Sequence, residues 1–154
     1  MIEKTWLVIL LNLMPTVEQT GAIALGLSLG LSPASVFFLS LLVNCLLFFP
    51  IFFGLRIFYN TFLRKIKLFN RYLEKVRTKG KPYVDRYGII GITLFISLPT
   101  PLSGTYTASI LAWLLGLEWR KSFLAIFLGS FIGGLIILGA CLGVINAIKI
   151  LLGL

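Results

Sequence analysis

Residues 98–107, LPTPLSGTYT, combine two prolines, a glycine and several hydroxyl side chains within an otherwise uncharged run from Tyr87 to Leu117. Pro99 and Pro101 each remove a backbone donor and clash with the preceding turn, so no regular helix passes through this stretch. The apolar segments on either side each reach only about half of the hydrocarbon core of a bilayer. A broken helix at membrane depth is tolerated only where protein or a watery cavity surrounds it. We therefore predict a re-entrant helical hairpin over residues 88–117, whose tip lines a substrate path.

The composition assigns the chain to the integral membrane proteins. Of its 154 residues, 58% are hydrophobic and only 12% are charged, whereas a soluble domain averages about 25% charged residues. The chain contains no histidine, and its few acidic residues are scattered. Hydrolytic metal chemistry and Ser-His-Asp catalysis are thus excluded, and we expect a single membrane domain (residues 1–154) that is not an enzyme and uses no cofactor or metal. The acidic residues are Glu3, Glu18, Glu74, Asp85 and Glu118.

Positive charge is concentrated in one segment. Ten of the fourteen Lys and Arg residues lie between Arg56 and Arg86, where they face only two acids. Because both flanks are apolar, the positive-inside rule explains this segment better than nucleic-acid binding does, and it places residues 56–86 in the cytoplasm. The same charge can attract anionic lipid headgroups.

Two units of the same design follow one another along the chain. A first broken stretch, interrupted by Pro15-Thr16-Val17-Glu18-Gln19-Thr20-Gly21, resembles the second in having two legs of half-membrane length. Each broken stretch precedes an uncharged run of full spanning length. The predicted order is re-entrant hairpin (5–33), transmembrane helix (34–55), basic amphipathic linker (56–86), re-entrant hairpin (88–117) and transmembrane helix (122–148). Within the linker, apolar residues recur at helical spacing from Arg56 to Val76, and Gly80-Lys81-Pro82 is expected to end that helix.

The charge distribution then predicts an all-α fold with an inverted repeat. If the linker and Arg120-Lys121 are both cytoplasmic, the second hairpin enters the membrane from the cytoplasm and the first from the opposite face. The protein would cross the cell membrane several times, with both termini outside. The alternative is that each hairpin is one or two ordinary tilted helices. Asn44 is expected to bond a neighbouring helix, and the small size and glycine-lined spans favour a homodimer or larger oligomer.

The two hairpin tips are the candidate site. Glu18 is the one charged residue between Lys4 and Arg56, and an acid at bilayer depth is costly unless it is protonated or paired. It is therefore a candidate proton carrier, although it could instead cap the half-helix beginning near Thr16. At the second tip, backbone N–H groups at the start of the returning half-helix could hold an anion such as phosphate, or the hydroxyls could simply satisfy the broken backbone. The candidate residues are Pro15, Glu18, Thr20 and Gly21 at the first tip, and Pro99, Pro101, Ser103, Gly104, Thr105, Tyr106 and Thr107 at the second.

These two stretches resemble the motifs of the small multidrug export proteins. LPTPLSGTYTASILAWLLGL (98–117) is similar to a motif that reads approximately P-x-P-x-T-G-x-x-T, and EQTGAIALG (18–26) is similar to a glutamate followed by a basic position and Gly-Ala-Ile. Through this family the chain also resembles the DedA and SNARE-associated (VTT) membrane proteins, for which paired re-entrant hairpins are implied. Thr20 stands where the family usually has arginine, Ala24 at a common proline, Leu102 at a usual glycine and Ser103 at a usual threonine.

The resemblance implies a prokaryotic membrane transporter. Its expected activity is proton-coupled movement of an amphipathic or lipid-linked substrate, such as a polyprenyl phosphate or another lipid phosphate, across the cell membrane. The alternatives are gradient-independent lipid scrambling, export of small-molecule drugs, or assembly of other membrane proteins without transport. The expected partners are membrane lipids and the substrate, with no nucleic acid.

Overall fold

A computed structural model describes residues 2–15, 17–62, 65–98 and 104–152 as a bundle of helices. Six α-helices and no strand occur within these ranges, so the all-helical prediction is confirmed. The helices are α1 (Ile2–Asn12), α2 (Glu18–Ser28), α3 (Pro33–Thr61), α4 (Lys67–Ser97), α5 (Thr105–Leu114) and α6 (Trp119–Leu152).

Three of the helices are short and two are long and apolar. Helices α1, α2 and α5 contain 11, 11 and 10 residues, which corresponds to about 16 Å of rise each. Helix α3 and the Trp119–Ala147 part of α6 are both 29 residues long, and their most apolar 18-residue windows have mean hydropathies of 2.5 and 2.4. These two coincide with the predicted spans and are long enough to cross a membrane.

The outer surface of the bundle is apolar. Large hydrophobic side chains on α3 and α6 remain exposed, a distribution that is unfavourable in water and normal against lipid. They include Phe38, Leu42, Leu46, Leu124, Phe127, Leu128, Ile132, Leu135 and Ile136.

The helix boundaries around the basic segment (residues 56–86) differ from those predicted. Helix α3 continues past Arg56 to Thr61, and α4 begins only at Lys67, so the expected amphipathic helix is divided. The predicted end at Gly80-Lys81-Pro82 is wrong, because α4 runs through Pro82 to Ser97. Proline costs a helix one hydrogen bond and a steric clash. Packing of the C-terminal half of α4 against α6 compensates: Ile92 and Ile96 are buried, and the Thr93 hydroxyl donates to the Ala125 carbonyl at 3.2 Å.

Helices α3 and α6 form the centre of the bundle. One buried apolar cluster joins them to α4 and α5, with Phe48, Ile96, Ala112 and Ile126 among its members. A second cluster joins them to α1 and α2. In the first half of the chain, α1 and α2 pack on each other and on α3. In the second half, α4 and α5 pack on each other and on α6. Helix α2 also contacts α6, and α5 also contacts α3.

The same turn ends both α2 and α5. Gly30 and Gly116 adopt left-handed φ angles of 77° and 74°, which glycine accepts without steric cost. The following residue then donates back into the helix, Leu31 to the Gly26 carbonyl and Leu117 to the Ala112 carbonyl, both at 3.0 Å. This is the pattern of a Schellman helix end.

A basic side chain donates hydrogen bonds to the free carbonyls at each of these two helix ends. The Lys4 ammonium donates to the Leu29 carbonyl at 2.7 Å. Arg77 donates to the carbonyls of Leu114 and Trp113, both at 3.2 Å. Positive charge at a helix C-terminus satisfies free carbonyls and complements the helix dipole, so both half-helices end in a stabilised state.

Close approach of α4 and α6 depends on Gly129. A Cβ atom at this position would lie 2.7 Å from Ile96 Cβ and 2.9 Å from the Thr93 carbonyl oxygen, whereas one at Gly91 on α4 would have nothing within 4 Å. We expect Gly129→Ala to lower the free energy of unfolding by about 1–3 kcal/mol through overpacking. Gly91→Ala is the matched control, since both changes gain the same helix propensity. Thermal unfolding of both variants in detergent checks this, and equal Tm values would contradict it.

Candidate functional site

The two predicted tips contact each other through Glu18 and Thr105. The Thr105 amide donates to Glu18 Oε2 at 2.7 Å, across 87 positions of the chain. The Glu18 side chain is buried, with 8% of its surface exposed, and Thr105 is 1% exposed. The acid proposed as a proton carrier and the amides proposed as an anion site are therefore parts of one site.

Local backbone structure presents both partners. Thr105 and Tyr106 are the first two residues of α5, whose amides have no acceptor within the helix, and Gly104 before them supplies no side-chain cap. Glu18 is the first residue of α2 and has a φ of 40°, the one positive φ at a non-glycine position in the described ranges. This angle carries strain for an L residue, and such strain concentrates at functional sites. Glu18 thus caps α5 rather than its own helix, where a negative charge is favoured by the helix dipole.

Gly104 makes room for the carboxylate. A Cβ atom at Gly104 would overlap both carboxylate oxygens of Glu18. Its φ and ψ of −77° and 179° are open to any residue, so the backbone conformation does not require glycine here. The glycine is required because the Glu18 side chain lies against its α-carbon.

A second hydrogen bond joins the tips on their more exposed side. The Tyr106 hydroxyl donates to the carbonyl of Leu13 at 2.7 Å, in the turn that follows α1. This phenol therefore packs between the tips instead of standing free for stacking. Together, the Glu18 and Tyr106 contacts hold the start of α5 against the turn between α1 and α2.

A layer of buried polar side chains surrounds the junction of the tips. The Asn44 amide of α3 donates to Gln19 Oε1 at 3.0 Å, which confirms the prediction that Asn44 bonds a neighbouring helix. The Asn12 amide of α1 donates to the Ser40 hydroxyl at 3.1 Å, and the Ser109 hydroxyl donates to the Thr105 carbonyl at 2.6 Å. Each is buried. A membrane bundle therefore carries, around the buried Glu18, the polar groups that lipid would exclude.

Several atoms of this polar layer have no hydrogen-bond partner within the described part of the chain. A buried polar atom without a partner is costly, so such groups usually bond to water or a ligand. These atoms are Asn12 Oδ1, Gln19 Nε2, Asn44 Oδ1, Thr105 Oγ1 and Ser130 Oγ. The layer thus offers both hydrogen-bond donors and acceptors to a ligand that enters between the tips.

Other predicted site residues do not join this contact. Pro15, Thr20 and Thr107 are exposed. Gly21 lies one turn into α2, where a Cβ would overlap the Val17 side chain, so its role is packing. Pro99, Pro101 and Ser103 lie outside the described residues. No group of three or more His, Cys, Asp or Glu side chains suited to a metal ion occurs in the ranges that the structure describes.

Sequence reasoning missed four members of the polar layer: Asn12, Gln19, Ser40 and Ser130. Asn12, Ser40 and Ser130 are each a single polar residue inside an apolar run, which is a usable indication of a buried helix contact in a membrane protein. Gln19 lies between Glu18 and Thr20, where no such contrast distinguishes it. Periodicity alone does not say which partner such a residue faces.

Comparison with protein families agrees with the two tip motifs. The family model described as "Putative small multi-drug export protein" matches residues 18–136, well over half of the chain. The match begins at Glu18 and includes α5 and most of α6. No curated protein and no solved structure matches the chain. With its two long apolar helices, the chain is therefore a membrane protein that belongs to the "Putative small multi-drug export protein" family.

Proposed function

We propose that this protein is a proton-coupled secondary transporter that moves an anionic amphipathic molecule, such as a lipid phosphate, between the two tips. The observation that carries the proposal is the hydrogen bond from the Thr105 amide to the buried Glu18 carboxylate. The N-terminus of a helix is a ready site for phosphate or carboxylate groups. Here a side chain of the protein itself occupies that site, so cargo and Glu18 compete for the same amides.

Protonation of Glu18 links this competition to a proton gradient. An ionised carboxylate binds amides more strongly than a neutral acid does. When Glu18 takes up a proton, it releases the Thr105 amide to the anionic headgroup of the cargo. When it loses the proton on the other side, the carboxylate returns and displaces the cargo. The unpartnered atoms of the polar layer would hydrogen-bond the headgroup during the exchange. No bond of the cargo is made or broken, so the protein acts as a carrier and not as an enzyme.

The proposed architecture is an inverted repeat of two re-entrant hairpins. Gly30 and Gly116, which end α2 and α5 in the same turn, lie 86 positions apart (116 minus 30). The same offset relates buried Gln19 to buried Thr105, Ala22 to Ala108 and Asn44 to Ser130. The helix contacts of one half also recur in the other. These correspondences support two copies of one unit, and the positive-inside rule then favours opposite orientations in the cell membrane, with residues 56–86 in the cytoplasm and both termini outside.

The proposed cargo is based on the family and on the resemblance to DedA proteins.

The proposed assembly is based on α6. A Cβ atom added at Gly139 or Gly143 would have nothing within 4 Å in the single chain, and small residues one turn apart permit close helix contact. We propose that they form part of a homodimer contact. Crosslinking in native membranes that yields monomer alone would refute this contact and leave the transport proposal intact.

Flux in vesicles of the reconstituted protein tests the function. We expect short-chain NBD-labelled phosphatidate to move between leaflets, measured by extraction with albumin, only when a pH gradient is imposed. NBD-labelled phosphatidylcholine is the control lipid and ethidium the control drug. Equal movement of both lipids without a gradient would instead establish a scramblase, and movement of ethidium alone would establish a drug exporter. Absence of any flux, with a stably co-purified membrane protein, would favour an assembly factor.

A further inference from the structure

A second polar site lies away from the tips, beside the basic segment. It is a cavity of about 410 Å³ between the end of α3, α4, the end of α5 and the start of α6. This volume falls within the range of small-molecule sites. Its polar lining includes Arg56, Tyr59, Asn60, Arg77 and Glu118, and its apolar lining includes Phe52, Trp113, Leu117 and Trp119. None of these residues takes part in the contact between Glu18 and Thr105.

The cavity contains charges of both signs at separate places. Arg56 is exposed. Arg77 uses its Nε and one Nη2 donor on the carbonyls that end α5, and a guanidinium has five N–H donors in all, so three remain for a ligand. Glu118, exposed in the turn before α6, supplies one carboxylate to the lining. Two guanidinium groups suit a phosphate, and one carboxylate beside aromatic rings suits an ammonium group.

An aromatic strip leads from this cavity along the surface between α3 and α6. The Trp119 ring lies 6.2 Å from that of Phe53. The Phe53 ring stacks on that of Phe49 at 6.4 Å, and Phe49 lies 5.3 Å from Phe123. Phe49 and Trp119 are more than a third exposed. The strip is therefore an apolar track, continuous with a charged cavity, in a position where a lipid acyl chain could lie.

We propose that this cavity binds the headgroup of a zwitterionic phospholipid that carries both a phosphate and a primary ammonium group, as phosphatidylethanolamine does. The phosphate lies between Arg56 and the free donors of Arg77. The ammonium group faces Glu118, and one acyl chain follows Trp119, Phe53 and Phe49. The site is independent of transport, because it involves neither tip. Mixed charge favours the zwitterion over a purely anionic lipid such as phosphatidylglycerol, whose headgroup has no cation to pair with Glu118.

Tryptophan quenching can report on this site. The chain contains three tryptophans, and the two other than Trp6 both line the cavity. In a Trp6→Phe protein in nanodiscs, we expect brominated phosphatidylethanolamine to quench fluorescence at lower mole fraction than brominated phosphatidylglycerol. Arg56→Gln is expected to weaken this binding about tenfold, because one charge-assisted hydrogen bond is lost. Glu118→Gln is expected to reverse the preference toward phosphatidylglycerol.

Control variants distinguish lipid binding in this cavity from general attraction of lipid headgroups to a basic surface. Arg71→Gln removes the same charge from an exposed position of α4 outside the cavity and is expected to leave the quenching curves unchanged. Equal effects of Arg56→Gln and Arg71→Gln would overturn the proposal, as would an unchanged lipid preference in Glu118→Gln. An excess of free phosphoethanolamine is expected not to relieve quenching. Relief by the free compound would show that the site takes a soluble phosphate ester and not a membrane lipid.

Discussion

Replacing Glu18 by glutamine is expected to abolish proton-linked transport. Glutamine resembles the protonated acid, which binds the Thr105 amide more weakly than the carboxylate whose Oε2 now lies 2.7 Å from it, and it cannot bind or release a proton. Movement of NBD-labelled phosphatidate under a pH gradient should therefore fall to the level of protein-free vesicles. A pH-sensitive dye inside the same vesicles should show that substrate addition no longer moves protons. Since the side-chain size is unchanged, thermal stability should change little.

Glu74→Gln is the matched control for this experiment. It makes the same chemical change on the exposed surface of α4, far from the tips, and should retain full flux. Glu18→Asp keeps an ionisable group but shortens its reach to the Thr105 amide, so an intermediate flux with intact proton coupling is expected. Full proton-linked flux in Glu18→Gln would show that the proton is carried elsewhere and would refute the proposed mechanism.

The breaks in the helices could be predicted because their causes are local. Proline and glycine act on the backbone within one turn, so the sequence alone indicated interruptions near 15–21 and near 98–107. The two uncharged runs of spanning length correspond to α3 and α6 for a similar reason, since length and hydropathy are sufficient to identify them. Pro82 is the informative exception. There, packing of Ile92 and Ile96 against α6 outweighs the cost of a proline inside a helix. A rule based on neighbouring residues cannot take a contact with α6 into account.

The pairing within the site could not be predicted, because it joins residues 87 positions apart. The sequence indicated an acid that needed a partner and a helix start that needed an anion. Each requirement arises from its own stretch of sequence, and a contact within that stretch could have satisfied either one. The structure satisfies both with one contact. When two distant stretches each contain a polar group without a local partner, the possibility that the two groups bond each other should be tested before an external ligand is assigned to either.

Substituting Gly104 by alanine is expected to separate the tips and to stop transport. The backbone angles at Gly104 suit alanine, so the effect arises only because the new methyl group would overlap the Glu18 carboxylate. Loss of a hydrogen bond to a charged group lowers stability by about 1.5–3 kcal/mol. We expect a lower Tm in detergent and flux at the level of protein-free vesicles. Gly91→Ala, on α4 with nothing within 4 Å of its Cβ position, should leave the flux unchanged and the Tm unchanged or slightly higher, because alanine has the better helix propensity.

A second substitution can distinguish lost contact from general misfolding. Glu18→Asp withdraws the carboxylate by one methylene group, which relieves the overlap with a methyl group at position 104 while keeping an acid within reach of the α5 amides. The double variant Gly104→Ala with Glu18→Asp should therefore recover part of the Tm and of the flux that Gly104→Ala alone loses. A loss in the double variant that is smaller than the sum of the two single losses is typical of two residues in direct contact. If the double variant instead loses the sum of the two single effects, Gly104 and Glu18 act independently, and the competition between carboxylate and cargo at the start of α5 is not the coupling step.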